Sequence, residues 1–139
     1  MNLRAYLLVL CCALGAGCSR EAASPTEIAV LVETNFVQGG QHHARFFITN
    51  TTDHAYRYST YDGTPICLVQ YRKGGRWDGN MTVTLRCGNG FGEQTLAPRQ
   101  SLRYDRTFES TQPVRLGIGA RRIDSTNGIM HWSERISPP

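Results

Sequence analysis

The chain has 139 residues, 40% of them hydrophobic, 9% aromatic and 19% charged, with a formal net charge of +4. That length fits one domain of roughly 100 to 150 residues and leaves no room for two cores or a large catalytic barrel. The moderate charge and plentiful β-branched residues exclude a disordered or fibrous chain.

Residues 1–17 begin with a single charge at Arg4, continue through the apolar run Ala5–Leu14 and end in Gly15-Ala16-Gly17 before Cys18. A basic start, an apolar stretch of about 7–15 residues and a small-residue cleavage site are the layout of a secretory signal peptide. The run is shorter than the roughly 20 residues that span a bilayer. Its ending, Ala16-Gly17-Cys18, resembles the lipobox of bacterial lipoproteins, although Gly15 stands where that family usually carries an apolar residue and Leu14 lies one place further back. The resemblance implies that Cys18 becomes the N-terminus and carries diacylglycerol. With Ser19 rather than Asp next, it also implies sorting to the outer membrane, facing the periplasm. Each buried methylene contributes about 0.8 kcal/mol, so more than one acyl chain makes a stable anchor to the membrane.

Residues 18–26 are small and polar and are broken by Pro25. They read as a flexible tether that reaches roughly 30 Å when extended. The folded domain then occupies residues 27–139, and its hydrophobic period is two. Expected strands are Ile28–Val32, His43–Thr49, Ala55–Thr60, Ile66–Tyr71, Met81–Arg86, Ser101–Phe108, Val114–Arg121 and Ile129–Ile136. Turn residues separate them at Gln38–Gln41, Asn50–Asp53, Asp62-Gly63, Gly74-Gly75 and Asn127-Gly128. Val114, Leu116, Ile118 and Ala120 alternate with Arg115, Gly117, Gly119 and Arg121, a half-buried strand pattern. Arg106 shares a face with Leu102, Tyr104 and Phe108, so a bulge or an early strand end is expected there.

No 11-residue window after the signal carries a helical stripe. Seven or eight short strands with turn signals about every 10 residues predict a single all-β domain, an immunoglobulin-like antiparallel β-sandwich, with a small β-barrel as the alternative. Phe46–Ala120 also resembles a group of bacterial exported or inhibitor-like sandwich domains that includes the intracellular proteinase inhibitor of bacilli. The likeness lies in Thr49-Asn50-Thr51, Gly75–Trp77, Leu96-Ala97-Pro98 and Val114–Ile118. It implies fold and assigns no inhibitory residue.

Five cysteines divide by position. Cys11 and Cys12 leave with the signal and lipidation consumes Cys18, which leaves Cys67 and Cys87 as an even pair in an oxidising compartment. A disulfide between them closes a loop of about 20 residues and contributes roughly 3 kcal/mol by chain entropy. A metal or redox pair lacks the CxxC spacing and a neighbouring histidine.

Loss of Arg4 leaves 14 basic and 11 acidic residues, a balance of +3, and the basic residues never run longer than two. That scatter argues against nucleic acid as a partner and reads as a solvated surface with at most weak attraction to anionic envelope polymers. There is no G-x-S-x-G, no glycine loop opening a helix and no carboxylate pair with a distinguishing context. The adjacent His42 and His43 point to opposite faces of a strand, so the four histidines, with His54 and His131, read as exposed loop residues and not as a metal site. No cofactor, no metal and no catalytic residue are expected. Trp77, in the Gly74–Asp78 turn, and Phe91, in the loop Gly88–Gly92, are the candidate contact residues, Phe91 being more readily placed back against the core.

These features lead to the expectation of a lipid-anchored envelope protein acting as a non-catalytic binding or structural accessory module with a protein partner in the envelope. The alternative is an inhibitor of an exported hydrolase, a protease rather than lysozyme, since two basic proteins lose steering and affinity. Without lipidation the domain is expected in the periplasm or secreted.

Overall fold

The computed structural model describes residues 26–81, 90–109 and 112–139. Regular structure among them is all strand: β1 Ile28–Gln38, β2 Gln41–Asn50, β3 Tyr56–Tyr61, β4 Thr64–Pro65, β5 Cys67–Lys73, β6 Arg76–Met81, β7 Phe91–Leu96, β8 Ser101–Phe108, β9 Val114–Arg122 and β10 Gly128–Trp132. They build two antiparallel sheets that do not close into a barrel, so the fold is a β-sandwich.

The smaller sheet has the order β1-β2-β8. In the larger one β9 is central. β10 lies on one side of it; on the other, β3 and β5 follow one another along its length, Tyr56–Tyr58 opposite Arg122–Ala120 and Cys67–Tyr71 opposite Ile118–Val114. Between them the chain leaves the β9 ladder as a small hairpin. Ile66 N donates to Ser59 O at 2.9 Å to close it, and Asp62-Gly63 turns with φ of 47° and 76°. β7 flanks β3, and β6 flanks β5. Ten segments therefore stand among the described residues where seven or eight strands are expected, because the two-residue β4 and the strand β7, which starts in the expected Gly88–Gly92 loop, are added.

The alternation read in β9 sets its burial: Val114, Leu116, Ile118 and Ala120 face the smaller sheet and are buried. They meet Phe46 and Ile48 of β2, Tyr104 and Phe108 of β8, and Ile28 and Val30 of β1 in one core. Full burial of each large side chain contributes about 1.5–3 kcal/mol.

β1 is longer than its apolar run because a register shift between Val32 and Thr34 inserts a bulge. The bulge reverses which positions face inward, putting Asn35 opposite buried Ala44 and sending Phe36 outward onto His43. Gly39 and Gly40, both at positive φ, make the two-residue turn into β2. At the far end Asn50 is fully buried. Its Nδ2 donates to the carbonyls of His54, Leu96 and Ala97 at 2.7–3.2 Å, and its Oδ1 accepts from Thr52 N and Oγ1. One side chain thus ties the turn that crosses between the sheets to the turn that leads into β8.

Arg106 needs neither a bulge nor a strand end: β8 keeps regular register with β2 from Ser101 to Phe108. β8 is an edge strand, and the half-buried Arg106 lays its stem along the inner face. Its Nε is buried without a hydrogen-bond partner among the described residues. The last expected strand is also shorter than predicted. β10 ends at Trp132; the Ser133 hydroxyl then accepts from Leu116 N at 3.0 Å, and Ile136 resumes backbone pairing with Val114. The expected strand Met81–Arg86 lies outside the described residues beyond Met81, and the strand that is described, β6, follows the Gly74-Gly75 turn directly.

Candidate binding face

The outward face of the larger sheet gathers side chains from four neighbouring strands. Arg115 stands on β9 opposite Gln70 of β5, Arg72 of β5 is opposite Trp77 of β6, and Trp132 of β10 is opposite Gly117. The two indoles bracket one guanidinium: Cζ of Arg115 lies 4.5 Å from the ring centroid of Trp77 and 4.4 Å from that of Trp132. Arg72 lies over Trp77 at 5.8 Å. Trp132 in turn rests on bare backbone, since a Cβ added at Gly117 would sit 2.6 Å from its ring atoms. In-plane, Nε and Nη2 of Arg115 both donate to Gln70 Oε1, at 2.8 and 2.6 Å. The result is a stack running Gly117, Trp132, Arg115, Trp77, Arg72, held by cation–π attraction and edged by one amide.

Trp77 is therefore a half-buried strand residue of β6 and not a turn residue. Phe91 is not folded against the core. It begins β7 opposite Tyr61, remains 61% exposed, and meets the Tyr61 ring edge-on at a centroid distance of 5.3 Å. No ring contact among the described residues joins Phe91 to Trp77. Sequence reasoning singled out Trp77 but missed Arg115 and Trp132, whose partnership is set by the register of three strand pairings.

Cys67 is on β5 opposite Ile118, facing the core and 1% exposed. Desolvation pushes its thiol up to about 12, opposed by the positive charge of Arg106. Cys18 and Cys87 lie outside the described residues.

Two histidines are buried, contrary to the expectation of exposed loop residues. His42 stacks obliquely on Phe108, its Nε2 donates to Asn35 Oδ1, and Asn35 Nδ2 donates to Ser137 O at 2.9 Å. Burial, reinforced by the neighbouring His43, lowers the His42 pKa. His131 faces the core opposite Ile118, and burial lowers its pKa against the opposing pull of Glu27. Both are inward because β2 begins at Gln41 and β10 runs through His131, so strand parity decides their side. His43 and His54 are half-buried and exposed respectively, and no group of three metal-ligating side chains occurs among the described residues.

A shallow groove of about 260 Å³ crosses the same outward face, floored by Gly119 and walled by Ser59 and Met130. Its one carboxylate is shared by two arginines: Glu93 accepts from Arg121 Nη2 at 3.1 Å through both oxygens and pairs with Arg57 at 3.8 Å.

No family model and no curated protein matches the chain. Among solved structures, the X-ray structure of a Northeast Structural Genomics Consortium target, SoR45, is similar to it at 13% identity and a TM-score of 0.53, covering 81% of this chain and 88% of that one. The likeness is one of fold.

Proposed function

We propose that the chain is a lipid-anchored cell-envelope protein whose β-sandwich acts as a non-catalytic binding or structural accessory module. The anchor reading rests on the signal-like residues 1–17 and on Cys18 behind Ala16-Gly17. The observation that carries the binding reading is the stack of Trp77, Arg115 and Trp132. It places large aromatic and cationic side chains on an outward sheet face, the residue types that dominate recognition surfaces. Support also comes from the groove beside it, where Glu93 is engaged by two arginines and so is not presented as an acid or base. In an oxidising compartment Cys67 pairs with Cys87, consistent with its burial in the core. Affinity recovery from solubilised envelope with the full chain, compared with a Cys18→Ser form, tests this reading: reproducible recovery of the same component supports it, and repeated recovery of none contradicts it.

A second reading, inhibition of an exported protease, is favoured by one observation. Phe91 is a large apolar side chain left exposed beside the Asp62-Gly63 hairpin, a shape able to enter a cleft. Unchanged activity of a protease panel at micromolar protein rules it out, and inhibition abolished by Phe91→Ala establishes it.

A further inference from the structure

Residues 133–137 bridge the two sheets. On the larger sheet, Ser133 N donates to Leu116 O at 2.7 Å, and Val114 and Ile136 exchange both backbone hydrogen bonds at 2.8 Å, with the Ile136 side chain buried in the core. On the smaller sheet, Asn35 Nδ2 of β1 donates to Ser137 O at 2.9 Å, a bond exposed to solvent. Residues 32–35 and 134–137 line one crevice of about 310 Å³ there. Asn35 is itself held by His42, whose ring is 3% exposed and lies against Phe108. Because Asn35 Nδ2 is committed to Ser137, its Oδ1 accepts and His42 Nε2 carries the proton. The other ring nitrogen, Nδ1, is buried without a hydrogen-bond partner among the described residues.

We propose that His42, Asn35 and residues 133–137 form an acid-sensitive latch: neutral His42 keeps the segment closed across the two sheets, and protonation of its ring opens it. Protonation puts an N–H on Nδ1 where no acceptor stands, and a buried donor left unpaired costs at least as much as a hydrogen bond contributes. The ring relieves that cost by turning toward water, which withdraws Nε2 from Asn35 and leaves the amide under Ser137 unfixed. The groups packed around the imidazole do not compensate the new charge. On β2 the neighbour is His43, itself a potential cation, and on β8 the inward charge is Arg106, opposite Ala44. Glu33 of β1 and Asp105 of β8 are engaged by Arg45 at 3.5 and 2.7 Å. Glu109 after β8, and Glu134 and Arg135 of the segment, are exposed. Burial and His43 accordingly lower the His42 pKa. Opening of the segment bares the edge of β9 at Val114 and the side chain of Ile136, and leaves the β1–β2 and β2–β8 ladders in place. The latch goes beyond the binding-module reading and does not depend on it.

The test is amide hydrogen exchange of the purified full chain between about pH 7.5 and pH 5, read as protection factors and repeated in low concentrations of urea. The amides of Val114 and Ile136, each bonded to the other's carbonyl, should lose about tenfold in protection at the acid end, as for one hydrogen bond lost, and their exchange should not depend on urea. Those of Phe46 and Ile48, on the central strand β2, should exchange through urea-dependent global unfolding. His42→Gln should cut the acid response of Val114 and Ile136 below about twofold. Asn35→Ala, at a half-buried position that keeps the variant measurable should His42→Gln fail to fold, should make both amides exchange fast at neutral pH and leave little further response to acid. His131→Gln should keep the full response. Exchange of Val114 and Ile136 with the same urea dependence as β2, protection unchanged down to pH 5, or a full acid response remaining in His42→Gln or Asn35→Ala would overturn the proposal.

Discussion

The guanidinium carbon of Arg115 lies 4.4 Å from the ring centroid of Trp132, and the same indole lies against Gly117. The chain has two tryptophans, and Arg115 is between them. Its replacement is therefore visible in the intrinsic fluorescence of the whole protein. Arg115→Lys retains the charge but loses the planar fork that both indoles and Gln70 grip. With cation–π contacts contributing about 0.5–2 kcal/mol each, we expect a loss of about 1–2 kcal/mol in urea unfolding and a changed emission maximum. An unchanged midpoint and spectrum would mean that the stack contributes nothing to the fold.

Gly117→Ala addresses the contact of Trp132 with bare backbone. The added methyl meets ring carbon at 2.6 Å, closer than any side chain tolerates, so the indole must shift. A cost of about 1–3 kcal/mol is expected, as for overpacking elsewhere. Gly119→Ala, whose nearest neighbour is the flexible Met130 Sδ at 3.3 Å, should cost less. Comparative thermal unfolding of the two variants checks the order.

Asn50 is a different type of linchpin. Replacement by Ala removes the donor to three carbonyls and the acceptor for Thr52, in a site with no exposure. Buried carbonyls left unpaired cost about 1–3 kcal/mol each when water cannot reach them, so a total loss of about 2–4 kcal/mol is expected by denaturant titration.

Acid sensitivity follows from His42 and His131. Burial lowers both folded-state pKa values below the ordinary 6.5, so the unfolded chain binds protons first as pH falls. Stability is at its full value above pH 6.5, declines as pH drops below it, and levels off from this cause only below the folded pKa values. Urea midpoints should be flat from about pH 7 to 8 and fall between about pH 6.5 and 5, less steeply in His42→Gln and His131→Gln. A flat profile to pH 5 in the parent would contradict the assignment.

The architecture was legible where one face of a strand is buried and the other is wet. β9 declares itself through Val114, Leu116, Ile118 and Ala120, and the turns at Gly39-Gly40, Asp62-Gly63 and Gly74-Gly75 through their residues. What escaped was non-local. The bulge in β1 that turns Phe36 outward depends on pairing with β2, β7 depends on pairing with β3, and the inward Arg106 is tolerated because β8 is an edge. The candidate face was half visible: Trp77 stands out in sequence, but Arg115 and Trp132 become its neighbours only once the register of β5, β6, β9 and β10 is set.

Whether the module is anchored is decided by intact-mass and N-terminal peptide spectrometry of the mature protein, with and without globomycin. The predicted result is a chain beginning at Cys18 with diacylglycerol on its sulfur and accumulation of the uncleaved form under the antibiotic. A mature chain with an unmodified Cys18, or processing indifferent to globomycin, would contradict it.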